Sequence, residues 1–353
     1  MRGRIVGLWA ALCLLLTGCG RMPYPREMED MALLRTMGVD REGDAISLTG
    51  STGPRARGLQ GDQEPALALS AAGNSLSAAA LSLQGLSDSY VFFGYVDQLL
   101  LGEELAREDA RPVLDWFARD AELGLGARVW AVRGSARSAV ESGGDRGVDS
   151  RLTTLRADGE MGVASLTRTA GEVYTDLLEQ GAAYLPALSL ADETGITDGG
   201  YAVLKDGTLA GYLEGEEALG LELLAGRSSV HVLEERAGEE PVSLRITAGP
   251  TTCRLTGEGR LSLTCRVSVR LEEYGRPLTE SQLENLKSRI TTREEGRIRA
   301  ALHRLRGWGT DCLGLGPKAG LASPRAWGKV QKDWSGIFAA LEPEVEVRVE
   351  LHL

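Results

Sequence analysis

From Arg260 to Leu271 every second residue is apolar. Leu261, Leu263, Cys265, Val267, Val269 and Leu271 fall on one side of an extended chain, and Arg260, Ser262, Thr264, Arg266, Ser268 and Arg270 on the other. A repeat of two marks a strand with one face buried and one face in water. Such a strand needs paired neighbours and a layer over its apolar face. "EVEVRVELHL" at the end of the chain repeats the alternation and supplies a second strand. A long helix is expected after Thr279, where Thr279 and Gln282 form a capping-box pattern. Leu283, Leu286 and Ile290, then Ile298, Leu302 and Leu305, mark its inner face. Gly296 weakens that helix by up to ~1 kcal/mol relative to Ala.

The rest of the chain reads as mixed strand and helix. "MALLRTMGVDREGDAISLTG" predicts two strands around a turn near Asp40 to Asp44, and residues 50–66 a polar loop. A helix follows from Asn74, with Asn74 or Ser75 as N-cap. Tyr90 to Val96 reads as a buried strand and Leu99 to Leu101 as a second apolar run. Val113, Leu114, Phe117 and Ala118 lie at helical spacing, and "ARVWAVRG" alternates as a strand. Residues 141–160 read as a loop, and "TAGEVYTDLLEQGAAYLPAL" as a helix and its exit. Asp206-Gly207 between two apolar runs predicts a tight hairpin. The expected fold is mixed α/β (α+β), with several domains, each a sheet flanked by helices. A boundary near residue 195 divides a region 31–195, of one or two lobes, from a domain 196–353.

Three cysteines, Cys253, Cys265 and Cys312, lie in this body, not the even, dense pattern of a disulfide scaffold. A three-residue loop at Gly257-Glu258-Gly259 sets Cys253 opposite Leu263 and Cys265 opposite Thr251. The two cysteines are then diagonal, with Cβ atoms a little under ~7–8 Å apart, against about 3.8 Å in a disulfide. Two buried thiols are expected, and a register shift would reverse that.

The amino terminus carries its own signal. Arg2 and Arg4 precede Ile5 to Leu16, which has no charge. That run is too short for a bilayer core of ~30 Å, which needs about 20 residues, so it reads as a secretory leader. It ends in Leu16-Thr17-Gly18-Cys19, which resembles a bacterial lipobox. The resemblance implies diacylglycerol on the Cys19 sulfur, removal of residues 1–18, and a tether over 19–30, where Pro23 and Pro25 discourage helix. The alternative is an ordinary signal peptide with an incidental cysteine.

Composition excludes some roles. The formal charge is −11, and loss of Arg2 and Arg4 with the leader makes it −13. That argues against nucleic acid, which is bound by neutralising phosphates, and against electrostatic adhesion to an anionic membrane. Attachment then rests on lipid, at roughly 0.8 kcal/mol per buried CH₂. His231, His303 and His352 lie in no metal-ligand spacing. "GLGPKAG", residues 314–320, fits neither nucleotide-binding pattern and reads as a plain loop. No G-x-S-x-G elbow occurs, and Glu103-Glu104 suits a helix N-terminus through its dipole. No catalytic, metal or cofactor constellation is expected.

Several segments together resemble one family. They are "REMEDMALLRTMGVD" after Cys19, "AAGNSLSAAALSL", "FFGYVDQLLLGEELAREDARPVLDWFARDAEL", "GGYAVLKDGTLAGYL", and residues 311–351, where Asp311, Gly314, Gly316, Pro324, Trp327, Trp334 and Phe338 keep the spacing. This is similar to the Ger(x)C lipoproteins, the C subunits of spore germinant receptors. The chain departs from that pattern at Gly94-Tyr95, where the family usually has Gly-His, at Leu123-Gly124, which lacks a closing arginine, and in lacking a short Arg-containing tail. The resemblance implies a non-enzymatic, lipid-anchored protein on the outer face of the spore inner membrane. It would act with membrane-embedded A and B subunits in sensing nutrients. Rival readings are a transporter's substrate-binding lipoprotein, which would show two similar lobes, and an anchored hydrolase, which would need a nucleophile or metal. Trp327 and Trp334 are expected on one helical face packed on the terminal sheet.

Overall fold

The computed structural model describes residues 30–56, 63–158, 166–191, 195–227, 230–256 and 259–352. The leader, Cys19 and nearly all of the tether lie outside the described residues.

β1 (Met31–Glu42) and β2 (Ala45–Thr52) pair antiparallel across the turn expected near Asp40 to Asp44. Within the expected loop 50–66, β2 continues to Thr52 and β3 (Arg55–Ala56) pairs with β4 (Gln63–Glu64). β5 (Ala68–Gly73) adds to β2. The Ser75 hydroxyl then caps α1 (Leu76–Gln84), accepting from the Ala78 amide at 3.2 Å. β6 (Tyr90–Phe92) is shorter than the strand expected through Val96, because the chain turns at Gly94-Tyr95 and the Val96 amide bonds back to the Phe93 carbonyl. β7 (Gln98–Leu101) follows, and α2 (Glu103–Glu108) opens on the two acids expected there.

In α3 (Arg111–Arg119) Val113, Leu114 and Phe117 are buried, but Ala118 faces solvent, one step past the contact stripe. β8 (Arg128–Arg133) is buried on both faces rather than alternating. The segment expected as a loop at 141–160 carries the end of α4 (Ala136–Glu141) and all of α5 (Asp149–Asp158). The latter is held by Leu152 and Leu155, three apart and both buried. α6 (Ala170–Gln180) starts on a capping box of Thr169 and Glu172 and leads into β9 (Ala182–Ala191). β10 (Gly195–Lys205) and β11 (Thr208–Leu213) form the expected hairpin, with Asp206 at φ 50° and Gly207 at φ 86°. Positive φ at both turn residues is the geometry Asp-Gly favours.

These strands build one sheet in the order β11-β10-β9-β8-β7-β1-β2-β5, with β6 beside β1. Its middle, β9-β8-β7-β1, is parallel and its flanks are antiparallel. Leu99 and Leu101 pack under α1, α3 and α6, whereas Leu100 packs with Trp130 against α4 and α5 on the other face. Burial on both faces explains why the central strands read as unbroken apolar runs.

α7 (Gly215–Ala225) leads to the second sheet: β12 (Val230–Ala237), β13 (Glu240–Leu255), β14 (Leu261–Tyr274) and, after four further helices, β15 (Glu344–His352), in that order. β14 alternates as expected and pairs in parallel with β15. Cys253 faces Leu263 and Thr251 faces Cys265, the expected register, and both cysteines are free and buried. α8 (Glu280–Gly307) begins at Thr279 with both capping-box bonds and buries Leu286, Ile290, Ile298, Leu302 and Leu305, while Leu283 is half-buried.

The boundary expected near residue 195 falls between β9 and β10, which are paired in the first sheet. One face of that hairpin serves each core. Ala202 and Leu204 join the first, and Tyr201, Val203 and Leu213 join the second. "GLGPKAG" is not a loop. It lies in α9 (Leu315–Ala322) and its cap, followed by α10 (Pro324–Val330) and α11 (Trp334–Ala340).

Candidate functional site

The spaced residues of the last segment meet at one point, where α8 ends. Asp311 is buried, and both its carboxylate oxygens are engaged. Oδ1 accepts from the Leu315 amide and Oδ2 from the Gly316 amide, each at 2.8 Å, and Oδ2 also accepts from Trp334 Nε1 at 2.8 Å. The carboxylate thus occupies the free amides at the start of α9, the donors a helix leaves unpaired. Gly314 makes the entry possible at φ 62° and ψ 38°, and a Cβ there would come within 2.6 Å of Gln180 Oε1.

Two small residues one helical turn apart form a seat for the indoles. A Cβ on Gly316 would lie 2.3 Å from Trp334 Cε2, and one on Gly320 2.6 Å from Trp327 Cγ. The two indoles meet edge to face, with centroids 5.3 Å apart at 71°, and Phe338 closes the stack at 5.9 Å from Trp334. The tryptophans do not share one helix. Residues 331–333 form a 3-10 turn between α10 and α11, which lets the indoles approach α9 from different directions. Their first contact is α9, not the terminal sheet, and Pro324 opens α10 as its first residue. All seven spaced residues therefore belong to one assembly. Burial pushes the Asp311 carboxyl above the ordinary aspartate range, opposed by its three donors and by Lys318.

This assembly joins the two cores. Lys205, at the turn of the β10–β11 hairpin, donates to the Trp308 carbonyl at the end of α8 at 2.9 Å. Two hollows flank α9. One, of about 730 Å³, is lined by Arg168, Glu172, Asp176, Glu179 and Lys318. There the Arg168 guanidinium lies 4.4 Å over the Tyr184 ring and donates to Asp176 at 2.5 Å. The other, of about 340 Å³, is lined by Gln180, Lys205, Asp206, Trp327 and Lys332. A third, of about 370 Å³, opens beside β10, where Arg133 lies 4.0 Å over the Tyr212 ring and pairs with Glu214. Its floor holds Glu222, which accepts from the Tyr201 hydroxyl at 2.5 Å.

Among the described residues no three of His, Cys, Asp and Glu stand close enough to hold a metal ion. Burial pushes the Cys253 and Cys265 thiols up to about 11 and that of Cys312 higher still. None is a ready thiolate at neutral pH. His231 sits under α8, where Arg297 Nη1 donates to its Nε2 at 2.8 Å, and the same guanidinium binds Glu294 and Glu216. Burial first, then Arg297 and Arg293, lower the His231 pKa to about 4, so it is neutral and structural at pH 7. His303 lies on α8 and His352 on β15. The spacing of Asp311 and the tryptophans was legible in sequence. The partners they meet, Gln180 and the helical form of α9, carried no local signal.

Comparison with known proteins agrees along the chain. Residues 25–190 match the family described as "Spore germination protein N-terminal domain", and residues 199–352 match "Spore germination B3/ GerAC like, C-terminal". A curated relative, "Putative spore germination protein YfkR" of Bacillus subtilis (strain 168), is 21% identical over 363 residues, covering 95% of this chain and 92% of that protein. The crystal structure of the GerBC protein superposes with a TM-score of 0.59 at 17% identity, covering 90% of this chain and 97% of that one. With a mixed α/β fold shared across nearly its whole length and both family models matched in order, this chain belongs to the GerAC-like family of spore germination proteins.

Proposed function

We propose that this chain is the C subunit of a nutrient germinant receptor. It is a non-enzymatic protein, anchored through lipid on Cys19 to the outer face of the spore inner membrane, and needed for germination together with membrane-embedded A and B subunits. The observation that carries this reading is the match of both family halves, which begins at residue 25, just beyond Cys19. Among the described residues no helix is long and apolar enough to cross a membrane. In this reading residues 1–18 are the leader and 19–30 the tether, with regions 31–195 and 196–353 joined through the β10–β11 hairpin and the Asp311 assembly. A body whose two cores are joined by one hairpin suits a part that holds or gates its partners.

The test is germination of spores carrying Cys19→Ala, with the folding of that protein followed by circular dichroism. Loss of the protein from the membrane fraction, or its retention unprocessed, together with failed germination is expected. Mass spectrometry of a cleaved but unmodified Cys19 in the native protein would sink the lipid anchor. Normal germination after deletion of the gene, across a panel of nutrients, would sink the receptor role.

A further inference from the structure

A net charge of −11 is an average, and one part of the surface departs from it. Residues 312–332 contain no acid and four bases, Lys318, Arg325, Lys329 and Lys332, and they hold three of the five lysines in the chain. All four bases are exposed on α9, α10 and the turn after them. Elsewhere arginines pair widely with carboxylates, but none of these four forms an ion pair or a hydrogen bond among the described residues. Lys318 borders the hollow beside α9 that holds Glu172, Asp176 and Glu179, and Lys332 the one that holds Asp206, whereas Arg325 and Lys329 border a hollow without an acid. Asp311 is buried and saturated by three donors. The next acid along the chain is Asp333.

An exposed apolar residue lies on the same helix as Lys318, three positions on. Leu321 is 87% exposed, the most exposed large apolar side chain among the described residues. Beside it Ser323, Pro324, Arg325, Ala326 and Lys329 line an open hollow of about 420 Å³. The fold has no use for this face. The inward side of α9 already seats both indoles on Gly316 and Gly320 and buries Leu315 and Ala319. Exposed cations without an ion-pair partner, on the same helices as a protruding leucine, complement an anionic surface with an apolar layer beneath it.

We propose that the outer face of α9 and α10 docks on a bilayer containing anionic lipid. Lys318, Arg325, Lys329 and Lys332 meet the headgroup phosphates, and Leu321 enters the interface. The proposal rests on the anchored reading, since a tether of about ten residues, ~35 Å when extended, holds the body where weak contacts gain from effective concentration. The attraction acts within a Debye length of about 8 Å at physiological salt. The acidic remainder of the surface is repelled, so this one face sets the orientation of the body on the membrane. An acidic protein partner is the competing occupant.

The test uses the full lipidated chain with Leu321→Cys carrying an environment-sensitive fluorophore. Cys253, Cys265 and Cys312 are at most 7% exposed and stay unlabelled in the folded protein. On vesicles of phosphatidylcholine with phosphatidylglycerol the emission should shift to the blue relative to phosphatidylcholine alone. The shift should be lost at 1 M salt, where the Debye length is about 3 Å. It should also be lost when Arg325→Glu and Lys329→Glu are added. Equal emission on both vesicle types, or a shift that survives charge reversal, overturns the proposal, and the former leaves the face to an acidic protein. Flotation with pure phosphatidylcholine vesicles reads the anchor separately. Failure to float there refutes the lipid anchor, whereas the blue shift on anionic vesicles still decides the docking face.

Discussion

Replacing Gly316 with alanine should destabilise the protein even though alanine is the better helix former. The added Cβ would stand 2.3 Å from Trp334 Cε2, 2.5 Å from Nε1 and 2.7 Å from Cζ2, where ordinary contact begins at 3.4 Å. The indole therefore has to move by roughly 1 Å. It cannot do so freely, because Trp327 and Phe338 pack against it and Asp311 holds its Nε1 at 2.8 Å. Overpacking of this kind costs about 1–3 kcal/mol, and a weakened hydrogen bond to a carboxylate a further ~1.5–3 kcal/mol. The helix propensity of alanine offsets up to ~1 kcal/mol. The expected net loss is about 1.5–5 kcal/mol, several degrees in melting temperature for a chain of this size. Gly296→Ala is the matched control. Gly296 lies inside α8, where a Cβ would meet nothing within 4 Å, so that change should stabilise by up to ~1 kcal/mol. Calorimetry of the two variants decides the matter, with near-ultraviolet circular dichroism following the indoles. If Gly316→Ala melts with the unaltered protein, the seat for Trp334 is not as tight as described.

Trp334→Ala empties the centre of the same stack and should cost about 3–5 kcal/mol, and an unchanged urea midpoint would show the residue to be dispensable. Asp311→Ala leaves two buried amides and the Trp334 Nε1–H without an acceptor, at about 1–3 kcal/mol each, and should lower the urea midpoint at pH 7. His231 contributes a pH dependence of definite sign. Its folded pKa of about 4 lies below the ordinary 6.5, so as pH falls the unfolded chain takes the proton first. Stability from this group is complete above about pH 6.5 and is lost down to about pH 4, on the order of 3 kcal/mol. The raised pKa of Glu294 works in the opposite sense. His231→Gln should flatten the fall measured by urea titration between those pH values, and an unchanged slope would remove the histidine from the account.

Where local pattern and burial coincide, the chain could be read directly. β14 is a half-buried strand, α8 begins on a capping box, and the short loop after Cys253 sets the register that keeps the two thiols apart. Strict periodicity and fixed turn lengths leave one geometry each. The same holds for the Asp206-Gly207 hairpin, whose backbone only such residues adopt readily. The identities and spacing of Asp311, Gly314, Gly316, Pro324, Trp327, Trp334 and Phe338 were also present in the sequence, but not what they make.

Tertiary structure decided the rest. α9 is rich in glycine and carries a proline, so its propensity points to a loop. It is helical because the Asp311 carboxylate, four residues before its start, takes its first amides and two indoles fill the space that its missing side chains leave. α5 has almost no amphipathic stripe and exists because Leu152 and Leu155 complete the core under Trp130. β8 does not alternate because helices cover both faces of its sheet. The β10–β11 hairpin belongs to both cores because the two faces of one ribbon meet different layers. In the last three cases the deciding partner is far along the chain. A local pattern records which groups a segment must bury or satisfy, and only the assembled fold determines which distant groups do it.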